Sequence, residues 1–239
     1  MSQGNFHYWD SEFSRRFAVL SDCRWPTMKA AMNLMWQRGG TTIVETGCQR
    51  IDGDWGGGCS TMLLAEFAKI KGDVEIESVD INQRNVDVSI SILVKLGLES
   101  FVTHTCGDSA RFLHDWSVAC SEGLRMPIDL LYLDSFDYPF NVLLDRYGGR
   151  QDLNKAIKDV QALPTDEVVE AFRDAITPCQ EHCLHEIVSA MPSLHQKSIV
   201  LIDDNGLAGG GKSRLAKTFL ACNGWECVYD GQQTLWIKP

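Results

Sequence analysis

Glu45, Asp80, Asp134 and Asp203 each close a short apolar run, and Asp204 follows directly after the last. The runs are Ile43-Val44-Glu45, Ile76 to Asp80, Leu130 to Asp134, and Ile199 to Asp203. Carboxylates can accept hydrogen bonds from sugar hydroxyls, neutralise an amine or ligate a cation. A parallel α/β sheet builds its site outside the carboxyl ends of its strands, so acids there line one crevice. Asp80 at its strand end suits the two hydroxyls of a ribose. Asp108, in Gly107-Asp108-Ser109, could reach an adenine amino group. A charged Glu45 disfavours a pyrophosphate and favours a cationic amino-acid ligand.

Asp134 and the run Asp203-Asp204-Asn205 form a second constellation. Two carboxylates about 4 Å apart repel by roughly 4 kcal/mol at an effective dielectric of about 20. A divalent cation removes that cost. Oxygen ligands from Asp and Asn suit magnesium, calcium or manganese, not zinc. The competing reading makes Asp203 a loop cap and leaves Asp204 in solvent.

These residues need a scaffold, and the pattern around them supplies one. Thr41 to Glu45 reads as a first strand, followed by a loop rich in glycine: Gly47, Gly53, Gly56, Gly57, Gly58. Ser60 can cap a helix over Thr61 to Lys71. Val74 to Asp80, Phe101 to Thr105, Ile128 to Leu133 and Ser198 to Ile202 read as strands two to five. Asn82 can cap a helix to Leu96, with Gly97 at its C′ position. A further helix runs from Ser109 through Trp116, and another over Ser213 to Cys222. Glu226 to Tyr229 and Thr234 to Ile237 flank Asp230-Gly231 as a terminal antiparallel pair. Alternating strands and helices predict a mainly parallel sheet covered on both faces.

Residues 1–40 read as a helical, aromatic-rich segment, either a lid on the substrate, plain packing or a dimer surface. Residues 41–239 read as one domain with an insertion at about 139–185. The 239 residues are 44% hydrophobic, ample for one core. The net charge of −10 argues against nucleic acid and anionic membrane as partners. No apolar run is long enough to span a bilayer, and the first residues lack a signal-peptide core. Nine scattered cysteines with no CxxC pair suit reduced thiols in the cytoplasm.

Two other motifs compete for attention. Gly206 to Ser213 matches the P-loop pattern GxxxxGK[ST] between a strand and a helix. The adjacent Asp203-Asp204 pair would repel phosphate, so a flexible loop with Lys212 free to touch substrate is preferred. Cys179, His182, Cys183 and Glu186 share one helical face and could bind zinc. No second ligand group supports it, and helix packing on the sheet is the simpler reading.

The chain resembles the class I S-adenosylmethionine-dependent methyltransferases, a Rossmann-like α/β fold. The resemblance rests on Val44-Glu45-Thr46-Gly47 with Gly58-Cys59-Ser60-Thr61, on Val79-Asp80 and on Gly107-Asp108-Ser109. It implies a seven-stranded sheet, parallel except for a reversed last strand. It also implies cofactor contacts at Glu45, Gly47, Gly58, Ser60, Asp80, Ile81, Asp108 and Ser109. Asp134, Asp203, Asp204 and Asn205 look like the metal site of the magnesium-dependent O-methyltransferases, of the macrocin or sugar type and more distantly the catechol type. The catechol type carries a lysine three positions after the first metal aspartate, where this chain has Asp137. Asp137 is the implied general base, with Asp134 beside the acceptor; Asp137 could also be a turn residue. The reading is O-methylation of a small hydroxylated acceptor with S-adenosylmethionine and Mg²⁺ or another divalent cation. It leaves room for a homo-oligomer. The alternatives are a nicotinamide-dependent oxidoreductase and a non-catalytic nucleoside-binding protein of the same fold.

Overall fold

The computed structural model describes residues 3–20, 22–54, 59–139, 166, 170 and 172–239. Seven strands form one sheet: β1 (Thr42–Thr46), β2 (Glu75–Asp80), β3 (Val102–Cys106), β4 (Ile128–Leu133), β5 (Leu194–Ile202), β6 (Glu226–Asp230) and β7 (Thr234–Ile237). Their order is β3-β2-β1-β4-β5-β7-β6. The pairs among β1 to β5 are parallel, and β7 lies antiparallel to both β5 and β6. The expected Rossmann-like sheet with a reversed last strand is therefore present.

Side chains alternate across a strand, so each strand feeds two cores. One face buries Ile43, Ile76, Leu130, Tyr132, Ile199, Leu201 and Leu235. The other buries Val44, Leu131, Leu133, Val200, Ile202 and Trp236. Helices α3 (Trp25–Arg38) and α4 (Ser60–Lys71) contribute to the first core, joined by Leu93 of α5 (Gln83–Leu96). Helices α6 (Ser109–Ser121), α7 (Arg173–Ala190) and α8 (Arg214–Cys222) contribute to the second. Asn82 caps α5 by accepting from the Arg84 amide, and Gly97 ends it at a φ of +65°. Both match the sequence reading.

The N-terminal segment joins the first core. Gln3–Tyr8 and Ser14–Phe17 are α-helical around a π-helical turn, Trp9–Phe13. Trp9, Phe13 and Phe17 are buried, and the Trp9 ring meets Phe67 of α4 edge-on at 4.9 Å. Burial of each such side chain stabilises by roughly 1.5–3 kcal/mol, which ties the segment to the sheet. Its aromatics pack against the core, and it reaches the strand ends through Arg24.

The expected insertion at 139–185 lies mostly outside the described residues. Its last part belongs to α7, which packs on α6 and α8 and returns the chain to β5. No helix of the described residues is long and apolar enough to cross a membrane.

Candidate functional site

Chain order reverses between β1 and β4, and a doubly wound sheet opens a crevice at that point. A cleft of about 460 Å³ lies there. Gly47 and Cys48 after β1, Asp80 to Asn82 after β2, and Asp134, Phe136 and Asp137 after β4 line it, with Arg50, Ser60 and Asn85. Gly47 has φ of +82°, and a Cβ there would meet the Asp134 carbonyl oxygen at 2.5 Å. Only glycine lets the two loops approach this closely. Phe136 also adopts a positive φ, +53°. A bulky residue held there stores strain, a common property of functional loops.

The acids after β1 and β2 divide. Asp80 faces the cleft. It accepts from the Asn82 amide at 2.8 Å, the Cys48 amide at 3.3 Å and Asn85 Nδ2 at 3.1 Å. Ile81, beside it, is 75% exposed on the cleft wall. Glu45 shares the Ile43 side of β1 and is fully buried. Ser60, Thr61 and Ser78 donate hydroxyl hydrogen bonds to it at 2.6–2.7 Å. Burial raises its pKa, opposed by those three hydroxyls. Ser60 therefore does not cap α4 with its side chain; it links Glu45 to the cleft, which it lines. Asp108 is exposed and caps α6 by accepting from the Arg111 amide at 2.8 Å. Ser109 is buried, 3.0 Å from His182 Nε2. Gly58 lies outside the described residues.

The acids after β4 and β5 converge, as expected, but on side chains of the protein. Lys212 Nζ donates to Asp134 Oδ1 at 2.8 Å and to the Ser135 carbonyl at 3.3 Å, and lies 3.9 Å from Asp204 Oδ2. Arg24 Nε reaches both Asp203 oxygens, at 2.8 and 3.1 Å. Tyr132 donates to Asp203 at 3.1 Å, and Gln233 ties Tyr132 to Thr27. Asn205 turns to the terminal hairpin, donating to Asp230 Oδ1 and the Gly231 carbonyl. Burial lifts Asp134 to about 8, with Lys212 opposing and Asp203 and Asp204 adding to the lift. Lys212 itself is raised by Asp134, Asp204 and Asp203 against its burial.

This arrangement does not support the expected metal set. A Mg²⁺ ion needs ligand oxygens about 2.0–2.1 Å away around a common point. Here Lys212 Nζ sits among those oxygens, Asp203 is held by Arg24, and Asn205 is turned away. Among the described residues no three His, Cys, Asp or Glu groups are arranged to hold a metal. The donor set does not fit the ion.

Asp137, the expected base, lies on the cleft wall in an ion pair with Arg50 at 2.6 Å. Both side chains are substantially exposed. Arg24, Arg50, Tyr132 and Gln233 were missed by sequence reasoning. Lys212 was singled out, but as a loop residue free to touch substrate and not as the partner of Asp134.

No family model matches this chain, and no curated protein matches it in sequence. Solved structures do match. The O-methyltransferase TomG from Streptomyces achromogenes, involved in tomaymycin synthesis and bound to SAM, is 14% identical with a TM-score of 0.52; the match covers 89% of this chain and 79% of that one. The O-methyltransferase from Bacillus cereus in complex with SAH is 14% identical with a TM-score of 0.53, over 89% and 81%. NSun6 from Pyrococcus horikoshii with SFG is 13% identical with a TM-score of 0.51, over 86% and 50%. This chain has the class I methyltransferase fold.

Within that methyltransferase fold the two competing motifs resolve. The Gly206 to Ser213 loop offers no phosphate cradle. Gln180 holds the Gly209 and Gly211 carbonyls at 3.1 and 2.8 Å, Tyr138 holds the Ala208 carbonyl at 2.6 Å, and Lys212 is buried. The expected free Lys212 is thus an ion-paired interior residue. On α7, Cys179 and Cys183 are buried in the packing, and His182 lies 3.6 Å from buried Glu186. That helix face is structural.

Proposed function

We propose that this protein transfers a methyl group from S-adenosylmethionine to a hydroxyl of a small acceptor. The observation that carries the reading is the cleft at the β1–β4 switch: Asp80 and exposed Ile81 on one wall, Asp134 and Asp137 on the other. Asp80 and Asp137 face one guanidinium, Arg50, while Lys212 offsets Asp134, so the cleft keeps an excess of negative charge that favours a cationic ligand over a pyrophosphate. This excess speaks for a sulfonium amino-acid nucleoside and against a nicotinamide dinucleotide. The volume suits a ligand of that size, since such sites span about 300–1,000 Å³.

Asp80 would hold the ribose hydroxyls, Ile81 would cover an adenine face, and the Gly47 backbone would allow the amino-acid end to approach. Asp108 and Ser109, at the start of α6, would border the adenine. The cofactor supplies a reactive methyl on sulfur. The cleft's contribution is to place the acceptor oxygen in line and exclude water, which can supply most of the rate. Asp137 and Asp134 are the carboxylates on the wall able to take the acceptor's proton. Arg50 fixes Asp137 in position. Magnesium is left out of the reading, because its expected ligands are engaged by Lys212, Arg24 and the hairpin.

Calorimetry with S-adenosylmethionine, S-adenosylhomocysteine and NAD tests the proposal. One-to-one binding of the first two, weakened by Asp80→Ala, is expected. Binding of NAD alone would overturn it.

A further inference from the structure

We infer that Lys212 is a built-in cation that takes the place of a divalent metal in the acid cluster at the ends of β4 and β5. Asp134, Asp203 and Asp204 bring three carboxylates near one another, with Asp134 on the cleft wall. Close carboxylates repel by roughly 4 kcal/mol per pair at about 4 Å, so the cluster needs cations. The chain supplies two of its own. Arg24 takes Asp203 and reaches Asp204 at 3.6 Å. Lys212 takes Asp134 at 2.8 Å, with Asp204 at 3.9 Å. The ammonium also donates to the Ser135 carbonyl, and its side chain is 2% exposed.

The loop that delivers Lys212 is built to keep it there. Gly211 has φ of +62°, and a Cβ would fall 2.0 Å from the Asp204 carbonyl oxygen. The Lys212 amide donates to that same carbonyl at 3.2 Å. Tyr138 holds the Ala208 carbonyl, and Gln180 holds those of Gly209 and Gly211. The turn fixes the backbone from which the buried Lys212 side chain reaches Asp134 and the Ser135 carbonyl. Lys212 is therefore a positioning residue for Asp134 on the cleft wall. The cluster works without a divalent ion.

The inference rests on the charge geometry and not on the methyl-transfer reading. Mn²⁺ binding, followed by electron paramagnetic resonance, tests it on the full chain. The wild type is expected to leave Mn²⁺ free at millimolar concentration, and its thermal midpoint should be the same in EDTA and in Mg²⁺. Lys212→Ala should gain Mn²⁺ affinity by at least tenfold, and Lys212→Arg should not. Micromolar Mn²⁺ binding to the wild type that is lost in Asp134→Asn would overturn the inference. So would a wild-type midpoint that EDTA lowers, a result readable even if Lys212→Ala fails to fold. S-adenosylhomocysteine titrated into the same samples reports separately on the cofactor reading.

Discussion

Gly47 and Asp134 meet backbone to backbone: a Cβ on Gly47 would lie 2.5 Å from the Asp134 carbonyl oxygen. This contact joins the loops after β1 and β4 and shapes the cleft floor. Gly47→Ala should cost roughly 1–2 kcal/mol for the left-handed backbone. Overpacking should add about 1–3 kcal/mol. Urea denaturation would show a lowered midpoint, and S-adenosylhomocysteine affinity should fall with it. An alanine variant as stable as the wild type would mean the two loops are not in contact.

His182 and Glu186 give a pH signature. Glu186 raises the His182 pKa above its ordinary 6.5, against burial. Burial alone would raise Glu186, but His182, helped by the Ser109 and Ser135 hydroxyls, outweighs it and holds it below 4.5. The glutamate's share of stability is present above about pH 4.5 and lost as pH falls through its depressed value. The histidine's share is full below about pH 6.5 and lost as pH rises through its raised value. His182→Gln should therefore cost most near about pH 5.5, roughly 1–3 kcal/mol, because it removes the charge beside a buried carboxylate and leaves it to the Ser109 and Ser135 hydroxyls. The cost should shrink by about pH 9. Denaturation curves of both proteins at the two pH values check this.

Two arginines at the cleft should differ sharply. Arg24→Met leaves Asp203, 1% exposed, without its guanidinium and should cost roughly 3–5 kcal/mol. Arg50→Met breaks an exposed pair and should cost less than about 1 kcal/mol. Equal losses in guanidinium unfolding would contradict the difference in burial.

Asp80→Asn tests the ribose end. Hydrogen bonds to a charged group are worth roughly 1.5–3 kcal/mol, so S-adenosylmethionine affinity should drop about 10- to 150-fold. Unchanged affinity by calorimetry would remove Asp80 from the cofactor site.

Asp137→Asn separates the two carboxylates on the acceptor side. With Asp137 as base, kcat should fall by roughly 10²–10⁴ while cofactor affinity holds. Retained turnover of a methyl acceptor would move the role to Asp134.

Much of the frame was legible in the sequence. Ile43-Val44-Glu45 and Leu130 to Asp134 show strands that bury both faces and stop at a carboxylate. Asn82 and Gly97 mark the ends of α5 because capping and left-handed turns depend on local chemistry. Glu45 shows where that legibility ends. Its strand-end position suggested a cleft residue, yet Ser60, Thr61 and Ser78 enclose it on the Ile43 side of β1.

The sequence by itself determined the strand order's raw material, the row of acids at the strand ends and the need for cations near them. Only the tertiary structure decided which cations. Lys212 reaches Asp134 across 78 residues and Arg24 reaches Asp203 across 179. Such pairings depend on how Gly211 turns the loop after β5 and on where the N-terminal aromatics dock. The glycine-rich motif and the N-terminal aromatics were visible in the sequence, but not their partners, because those are set by packing between elements far apart in the chain.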